Sequence, residues 1–334
     1  MFNKIDHVSI KGVSVCVPAH VIKTMDYDWI NEEERKSFIK NTGVEERRVA
    51  NSTITTSDLC EKSATELLKK LKWEKDSIDV LIFVSQSPDY FLPATSAILQ
   101  HKLGLKKGVM AFDVNLGCSG YVYGLHIISN LLSSGIFKRG LLLAGDKSTI
   151  STNKRDKSTY PLFGDAGSAT ALEFEDHANP MFFNLFTDGA GYKSIIVEDG
   201  GARNHISSTS FIETKIDEGI YRNKINLVLD GMEIFNFALR EVSPSIDAIL
   251  KESKTEKTSI DYFIMHQANR LINESVRKKC RIESEKVPYS INKFGNTSSA
   301  SIPLTLIYQL KDQLENKSLN LLLSGFGVGY SWGN

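Results

Sequence analysis

Apolar and polar positions along this chain follow two periods in alternation. The short apolar runs Val80–Val84, Val109–Val114 and Leu141–Ala144 are bounded by turn residues, which predicts buried strands. Between them, Ala94–Leu103 and Tyr121–Leu132 carry apolar residues at helical spacing. Upstream, Ile5–Val17 predicts an opening strand region ended by Pro18. Asp26–Lys40 is charged and helix-favouring, with Asp28 as its start and Gly43 as its stop. Ser57–Leu71 predicts an amphipathic helix in which Ser57 is the N-cap and Leu59, Ala64, Leu67, Leu68 and Leu71 make one apolar face. Such alternation predicts α/β layers rich in parallel strands.

The pattern then repeats at a spacing of about 180 residues. Ile78–Phe83 followed by Ser85-Gln86 resembles Ile260–Met265 followed by His266-Gln267. Leu116-Gly117-Cys118-Ser119 resembles Phe294-Gly295-Asn296-Thr297, and Gly140–Gly145 resembles Asn320–Gly325. Three matches in one order predict a duplicated fold, with residues 1–172 and 173–334 as two halves of one body. The stretch Phe163–Leu172 closes the first half. Residues 199–211, rich in Gly, Ser, Thr and Asn, read as a solvated surface connection rather than a wall of a substrate tunnel.

With 334 residues the chain buries about three quarters of its unfolded surface, so a large core is within reach. Forty basic and forty acidic residues cancel, so no overall field favours nucleic acid or an anionic membrane. Cys16, Cys60, Cys118 and Cys280 show no Cys-x-x-Cys pairing, which argues against a zinc site or a disulfide framework and for a reducing compartment. Met1–Gly12 has no secretory core, and no apolar run approaches the roughly 18 residues of a membrane span. The expectation is a soluble cytoplasmic enzyme.

Three polar signatures follow strand-like runs, where loops are held rigidly yet remain accessible: Gly117-Cys118-Ser119-Gly120, His266-Gln267-Ala268-Asn269 and Gly295-Asn296-Thr297. Together they supply a nucleophile, a base or donor and a second donor, enough for acyl chemistry. A cysteine at a helix start is favoured as thiolate by the helix dipole, by up to roughly one pKa unit. Taken singly, each residue also has a structural reading. Cys118 can be a buried core thiol, His266 a satisfied strand-end group, Asn296 a turn residue and Gly325–Gly329 a Gly-rich turn. No Lys-Ser or Lys-Thr follows that turn, so it is not a phosphate loop.

Taken together, Ala111–Gly120, His266–Asn269, Gly295–Pro303 and Gly325–Gly333 resemble the successive signatures of β-ketoacyl-acyl-carrier-protein synthase III. The likeness extends from Asn41–Arg47 to the C-terminus. It implies a thiolase-like, five-layered αβαβα fold and a decarboxylative Claisen condensation of a Cys118-bound acyl primer with malonyl-acyl-carrier protein. His266 and Asn296 would donate hydrogen bonds to the malonyl thioester oxygen, and the N–H groups of Cys118 and Val328 would form the oxyanion hole. Asn269 matches a pantetheine contact, and Gly231 joins the substrate-binding set. Leu92 matches a residue that caps the partner subunit's acyl pocket, which implies a homodimer. Arg277, Lys278, Lys279 and Arg281 would lie near a carrier-protein dock, or simply form a solvated helix face. No metal or redox cofactor is implied.

The chain departs from the pattern where housekeeping members hold the adenine of coenzyme A with a tryptophan and two arginines. Ser37, Asn41 and Lys157 stand there, and Trp29 lies earlier. Lysine lacks the planar fork of arginine. Two rival readings remain: acyl transfer to an alcohol or amine without decarboxylation, and a non-catalytic subunit of a heteromeric synthase.

Overall fold

Val80–Val84 is a strand with all five side chains buried, which requires cover on both faces of its sheet. A computed structural model describes residues 2–334 and supplies that cover. On one face, Leu81, Phe83, Leu141 and Leu143 meet Leu67 and Leu68 of helix Thr56–Leu71 and Leu99 and Leu103 of helix Thr95–Leu103. On the other, Val80, Ile82 and Val84 meet Tyr121, Leu125, Ile128 and Leu132 of helix Gly120–Ser133 and Ile302, Leu306 and Leu310 of helix Ser301–Asn316.

Those two helices pack also against a second sheet through Phe183 and Ile264. The far face of that sheet presents Phe263, Met265, Leu322 and Phe326 to Ile246 and Ile249 of helix Ser243–Glu252 and to Ile272 and Val276 of helix Arg270–Lys279. Five layers result, αβαβα, with the helices Gly120–Ser133 and Ser301–Asn316 in the middle. Each fully buried Leu, Ile or Phe contributes about 1.5–3 kcal/mol, so the layers are held mainly by this burial.

The first sheet runs Val8–Cys16, Asp165–Phe174, Arg139–Lys147, Val80–Val84, Met110–Val114. The second runs Phe2–Ile5, Met181–Thr187, Ser331–Gly333, Leu321–Gly327, Tyr262–Met265. Arg139–Lys147 and Val80–Val84 pair in parallel, as do Leu321–Gly327 and Tyr262–Met265. Antiparallel pairs flank both in the same order. The repeat seen in the sequence is thus a repeat of topology.

Three local expectations change. The opening strand region is two strands: Phe2–Ile5 pairs with Met181–Thr187 in the second sheet, and Val8–Cys16 with Asp165–Phe174 in the first. His7, at φ 68°, makes the break. The first helix is Glu32–Thr42, capped by Asn31 rather than Asp28. Thr55, not Ser57, caps Thr56–Leu71, because Thr55 and Asp58 form a reciprocal capping box while the Ser57 hydroxyl donates to Asp89 Oδ2 at 2.6 Å. Among the described residues no helix is long and apolar enough to cross a membrane.

The N-cap assignment is directly testable. Asn31→Ala removes the acceptor for Glu34 N–H, 2.9 Å away, and should lower unfolding free energy by about 1 kcal/mol. Asp28→Ala should change it by less than about 0.5 kcal/mol. Denaturant titration of the two variants checks this, and the reverse ranking would restore Asp28 as the cap.

Candidate active site

The two central helices begin side by side. Cys118 immediately precedes Ser119, the N-cap of Gly120–Ser133, and Ser298–Ala300 forms a 3₁₀ turn leading into Ser301–Asn316. Cys118 Sγ lies 4.0 Å from Ser298 Oγ. Opposite, Gly327 approaches so closely that a Cβ there would stand 2.5 Å from the Cys118 Cβ, so only glycine leaves room for the thiol. The Asn296 segment is pinned to the first half, since Asn296 N–H donates to Leu162 O at 2.8 Å and Gly164 N–H donates to Asn296 O at 3.0 Å.

Cys118, His266 and Asn296 line one cavity of about 870 Å³, within the usual range for ligand pockets. All three are buried. Apolar side chains, among them Ile195, Leu227, Leu229 and Ile234, supply much of the remaining wall. Val328, Asn269 and Gly231 also line it. Asn269 has a second task, because its Oδ1 accepts from Ile272 N–H at 2.8 Å and caps Arg270–Lys279. The connection 199–211 is largely exposed, as expected, yet Asp199, Gly200 and Gly201 form part of the cavity wall.

Other candidates lie elsewhere. Leu92 is 85% exposed and not on the cavity, although its neighbours Tyr90 and Phe91 are. Arg277 is tied to Glu274 at 2.8 Å, and Lys279 Nζ donates to Leu239 O; Lys278 and Lys279 are exposed. Among the described residues no group of His, Cys, Asp or Glu is arranged to hold a metal ion.

The electrostatics reverse one expectation. Burial pushes the Cys118 thiol up to about 11, and the nearby Asp146 carboxyl adds to the rise. The Ser298 hydroxyl and the amides of Val328 and Cys118 itself oppose it without prevailing. Desolvation therefore outweighs these three donors and disfavours the thiolate. Burial likewise drives His266 down to about 3, so its imidazole is neutral. His266 Nδ1 sits 2.7 Å from Ser301 Oγ, and its ring stands edge-on to Phe326. Asn296 Oδ1 accepts from Ser298 N–H at 2.9 Å, while Nδ2 donates to Ala268 O at 3.3 Å.

Asp146 and Ser298 are the residues that sequence reasoning missed. Asp146 follows the apolar run Leu141–Ala144, the same strand-end position that singled out His266. Ser298 directly follows the Gly295-Asn296-Thr297 signature.

The family model for 3-oxoacyl-[acyl-carrier-protein] synthase III matches residues 112–191, and the model for its C-terminal part matches residues 250–334. A β-ketoacyl-[acyl-carrier-protein] synthase III of Streptococcus mutans is 34% identical over 327 residues, 97% of each chain. The chain belongs to the β-ketoacyl-acyl-carrier-protein synthase III family. A synthase III of Campylobacter concisus is 31% identical across 98% of this chain and 95% of its own. The crystal structure of a 3-oxoacyl-(acyl-carrier protein) synthase from Burkholderia xenovorans superposes with a TM-score of 0.93 at 38% identity, covering 100% of this chain and 94% of that one. The fold of this family member is accordingly thiolase-like.

The raised thiol sets a visible titration. The ultraviolet thiolate absorbance that distinguishes wild type from Cys118→Ala should be absent through neutral pH and emerge only as pH climbs towards about 11. A difference already complete below pH 8 would mean that the helix start prevails over burial.

Proposed function

We propose that this enzyme loads an acyl primer onto Cys118, decarboxylates malonyl-acyl-carrier protein and joins the two in a Claisen condensation, giving a β-ketoacyl thioester. The observation that carries the reading is that Cys118, His266 and Asn296 line a single cavity with a largely apolar wall. In the first half-reaction the Cys118 sulfur displaces the carrier thiol, and the amides of Val328 and Cys118, which already act on that sulfur, stabilise the oxyanion. In the second, loss of carbon dioxide leaves an enolate whose oxygen receives hydrogen bonds from His266 and Asn296. A neutral imidazole suits that role, since it donates a hydrogen bond without surrendering its proton.

Residues 1–172 thus supply the acyl acceptor and 173–334 both enolate donors. Two donors beside the thiol favour condensation over acyl transfer without decarboxylation, and the thiol itself argues against a non-catalytic subunit. Asn269 and Gly231, on the cavity wall, are assigned to the substrate arm. Exposed Tyr90, Phe91 and Leu92, together with the sheet edge Met110–Val114, support a homodimer in which Leu92 reaches the partner's cavity. Four free cysteines fit a reducing, cytoplasmic setting. Carrier docking is assigned to the Arg277–Lys279 helix end, chiefly to Lys278 and Lys279, because Arg277 is already paired.

The two half-reactions can be separated. Cys118→Ala should lose the covalent acyl adduct seen by intact-protein mass spectrometry. His266→Ala and Asn296→Ala should still take an acyl group but release carbon dioxide from malonyl-carrier protein about a hundredfold more slowly. Wild-type decarboxylation by both variants would remove the proposed donors. If wild type loads an acyl group yet never decarboxylates malonyl thioesters, acyl transfer without decarboxylation is the better reading.

The primer's carrier follows from the departures. Ser37 and Asn41 are polar side chains on Glu32–Thr42, and the Lys157 ammonium is bonded to Glu34 at 2.7 Å rather than free for a phosphate. Trp29 packs against Tyr27 and Tyr160. Missing an aromatic stack and a bidentate arginine should weaken coenzyme A binding about tenfold or more. The same acyl group should therefore reach Cys118 faster from acyl-carrier protein than from coenzyme A, with an advantage that shrinks as salt rises. Matched acylation rate constants decide it, and equal or faster loading from coenzyme A would return the enzyme to housekeeping initiation.

A further inference from the structure

The repeat leaves one loop without a role. Ser85–Asp89 follows strand Val80–Val84 as His266–Asn269 follows Tyr262–Met265, and like it lines the cavity, through Gln86, Ser87 and Asp89. It reaches the nucleophile, because Gln86 Oε1 fills the space that a side chain at Gly117 would need, one residue before Cys118. The second half gives the cavity apolar side chains such as Ile195, Leu227 and Leu229. This loop gives it a carboxamide, a hydroxyl and a carboxylate.

Most polar groups of the loop already have partners. Ser87 Oγ lies 2.7 Å from Thr56 Oγ1 and accepts from Lys147 N–H at 2.9 Å, while Gln86 N–H donates to Asp146 Oδ1 at 2.7 Å. Asp89 is fastened twice. Its N–H donates to Thr95 Oγ1 at 3.1 Å, and its Oδ2 accepts from Ser57 Oγ at 2.6 Å, which ties it to the starts of two helices. Its other oxygen, Oδ1, is buried and has no hydrogen-bond partner. Lys147, also on the cavity, turns its ammonium to the carbonyls of Asn51 and Ile54 instead. A buried carboxylate oxygen left unpaired is costly, and the bridge to Ser57 uses only Oδ2.

We propose that the loop Ser85–Asp89 selects the primer: the acyl group carried by Cys118 bears a hydrogen-bond donor, a hydroxyl or an ammonium, which Asp89 Oδ1 accepts. This rests on the reading of Cys118 as acyl acceptor and of Asn269 and Gly231 as contacts of the carrier arm, which leaves the first-half wall to the acyl chain. Asp89 lies three residues beyond Gln86, at most about 10 Å along the backbone, so the donor sits on a short chain. Anchored at two helix starts, Asp89 meets that donor without reorganising. A hydrocarbon primer of the same shape covers the carboxylate without pairing it, and a site built to pair a polar group discriminates against such an analogue.

The test is the rate of Cys118 loading from acyl-carrier-protein donors matched in shape, each supplied alone and followed by intact-protein mass. One set is 3-methylbutanoyl, 3-hydroxybutanoyl and 3-aminobutanoyl; the other is heptanoyl, 6-hydroxyhexanoyl and 6-aminohexanoyl. In at least one set a donor-bearing primer should load about tenfold faster than its hydrocarbon match. Asp89→Asn keeps an acceptor but removes the charge, so a preference for hydroxyl should survive it and a preference for ammonium should fall about tenfold. Asp89→Leu should abolish either preference, and if that variant does not fold, the wild-type ratios and Asp89→Asn decide. Hydrocarbon primers that load at least as fast as their matches in both sets would overturn the proposal, as would a preference undiminished in Asp89→Leu, and both results leave the acyl-Cys118 reading intact. No adduct on wild type from any donor would overturn both.

Discussion

Everything at the centre of this protein depends on two helices sealed between two sheets. Gly120–Ser133 and Ser301–Asn316 have apolar faces for both neighbours, and that burial fixes where their first residues lie. Because the halves repeat each other, equivalent helix starts meet. Cys118 and Ser298 are separated by 180 residues in sequence and 4.0 Å in space. Further contacts lock the seam: Ser119 Oγ and Ser331 Oγ are 2.6 Å apart, and the Ser299 hydroxyl reaches Asp146 from the other half. Duplication is therefore what brings a nucleophile, two donors and a buried carboxyl into one place.

The same burial sets the chemistry. A rise of the Cys118 thiol from 9.0 to about 11 corresponds to about 3 kcal/mol against the thiolate, more than the roughly 0.3–1 kcal/mol that a helix end usually offers. A site this dry strengthens each hydrogen bond aimed at a developing charge, and penalises any charge that stands before the reaction starts. Neutral thiol, neutral imidazole and carboxamide are the resting forms such an environment selects.

Much of this was legible in the sequence. The runs Val80–Val84 and Tyr121–Leu132 announced their elements because a fully covered strand must be apolar throughout and a buried helix must be apolar at helical spacing. Cys118, His266 and Asn296 stood out as polar residues at the ends of such runs. The true caps Asn31 and Thr55 did not, because Asp28 and Ser57 are equally good capping types and only the chain's path decides between them. Asp146 escaped because a carboxylate beside Lys147 reads as surface. Its burial depends on Ser85, Gln86 and Ser299, which no local pattern brings together. The sign of the thiol's shift was hidden for the same reason, since desolvation belongs to the assembled layers and not to any one segment.

The strand Phe2–Ile5 gives the molecule an unusual assembly order. It forms the outer edge of the sheet otherwise built wholly from the second half, pairing Phe2 with Asn184 and Ile5 with Met181. During synthesis this strand must therefore wait for one made about 180 residues later, and such distant pairing is slow to close. Until it arrives, the strand Met181–Thr187 presents an open ladder to any passing chain. A second half produced alone would keep that open edge permanently, so Phe2–Ile5 serves as a seal on a sheet that the other half builds.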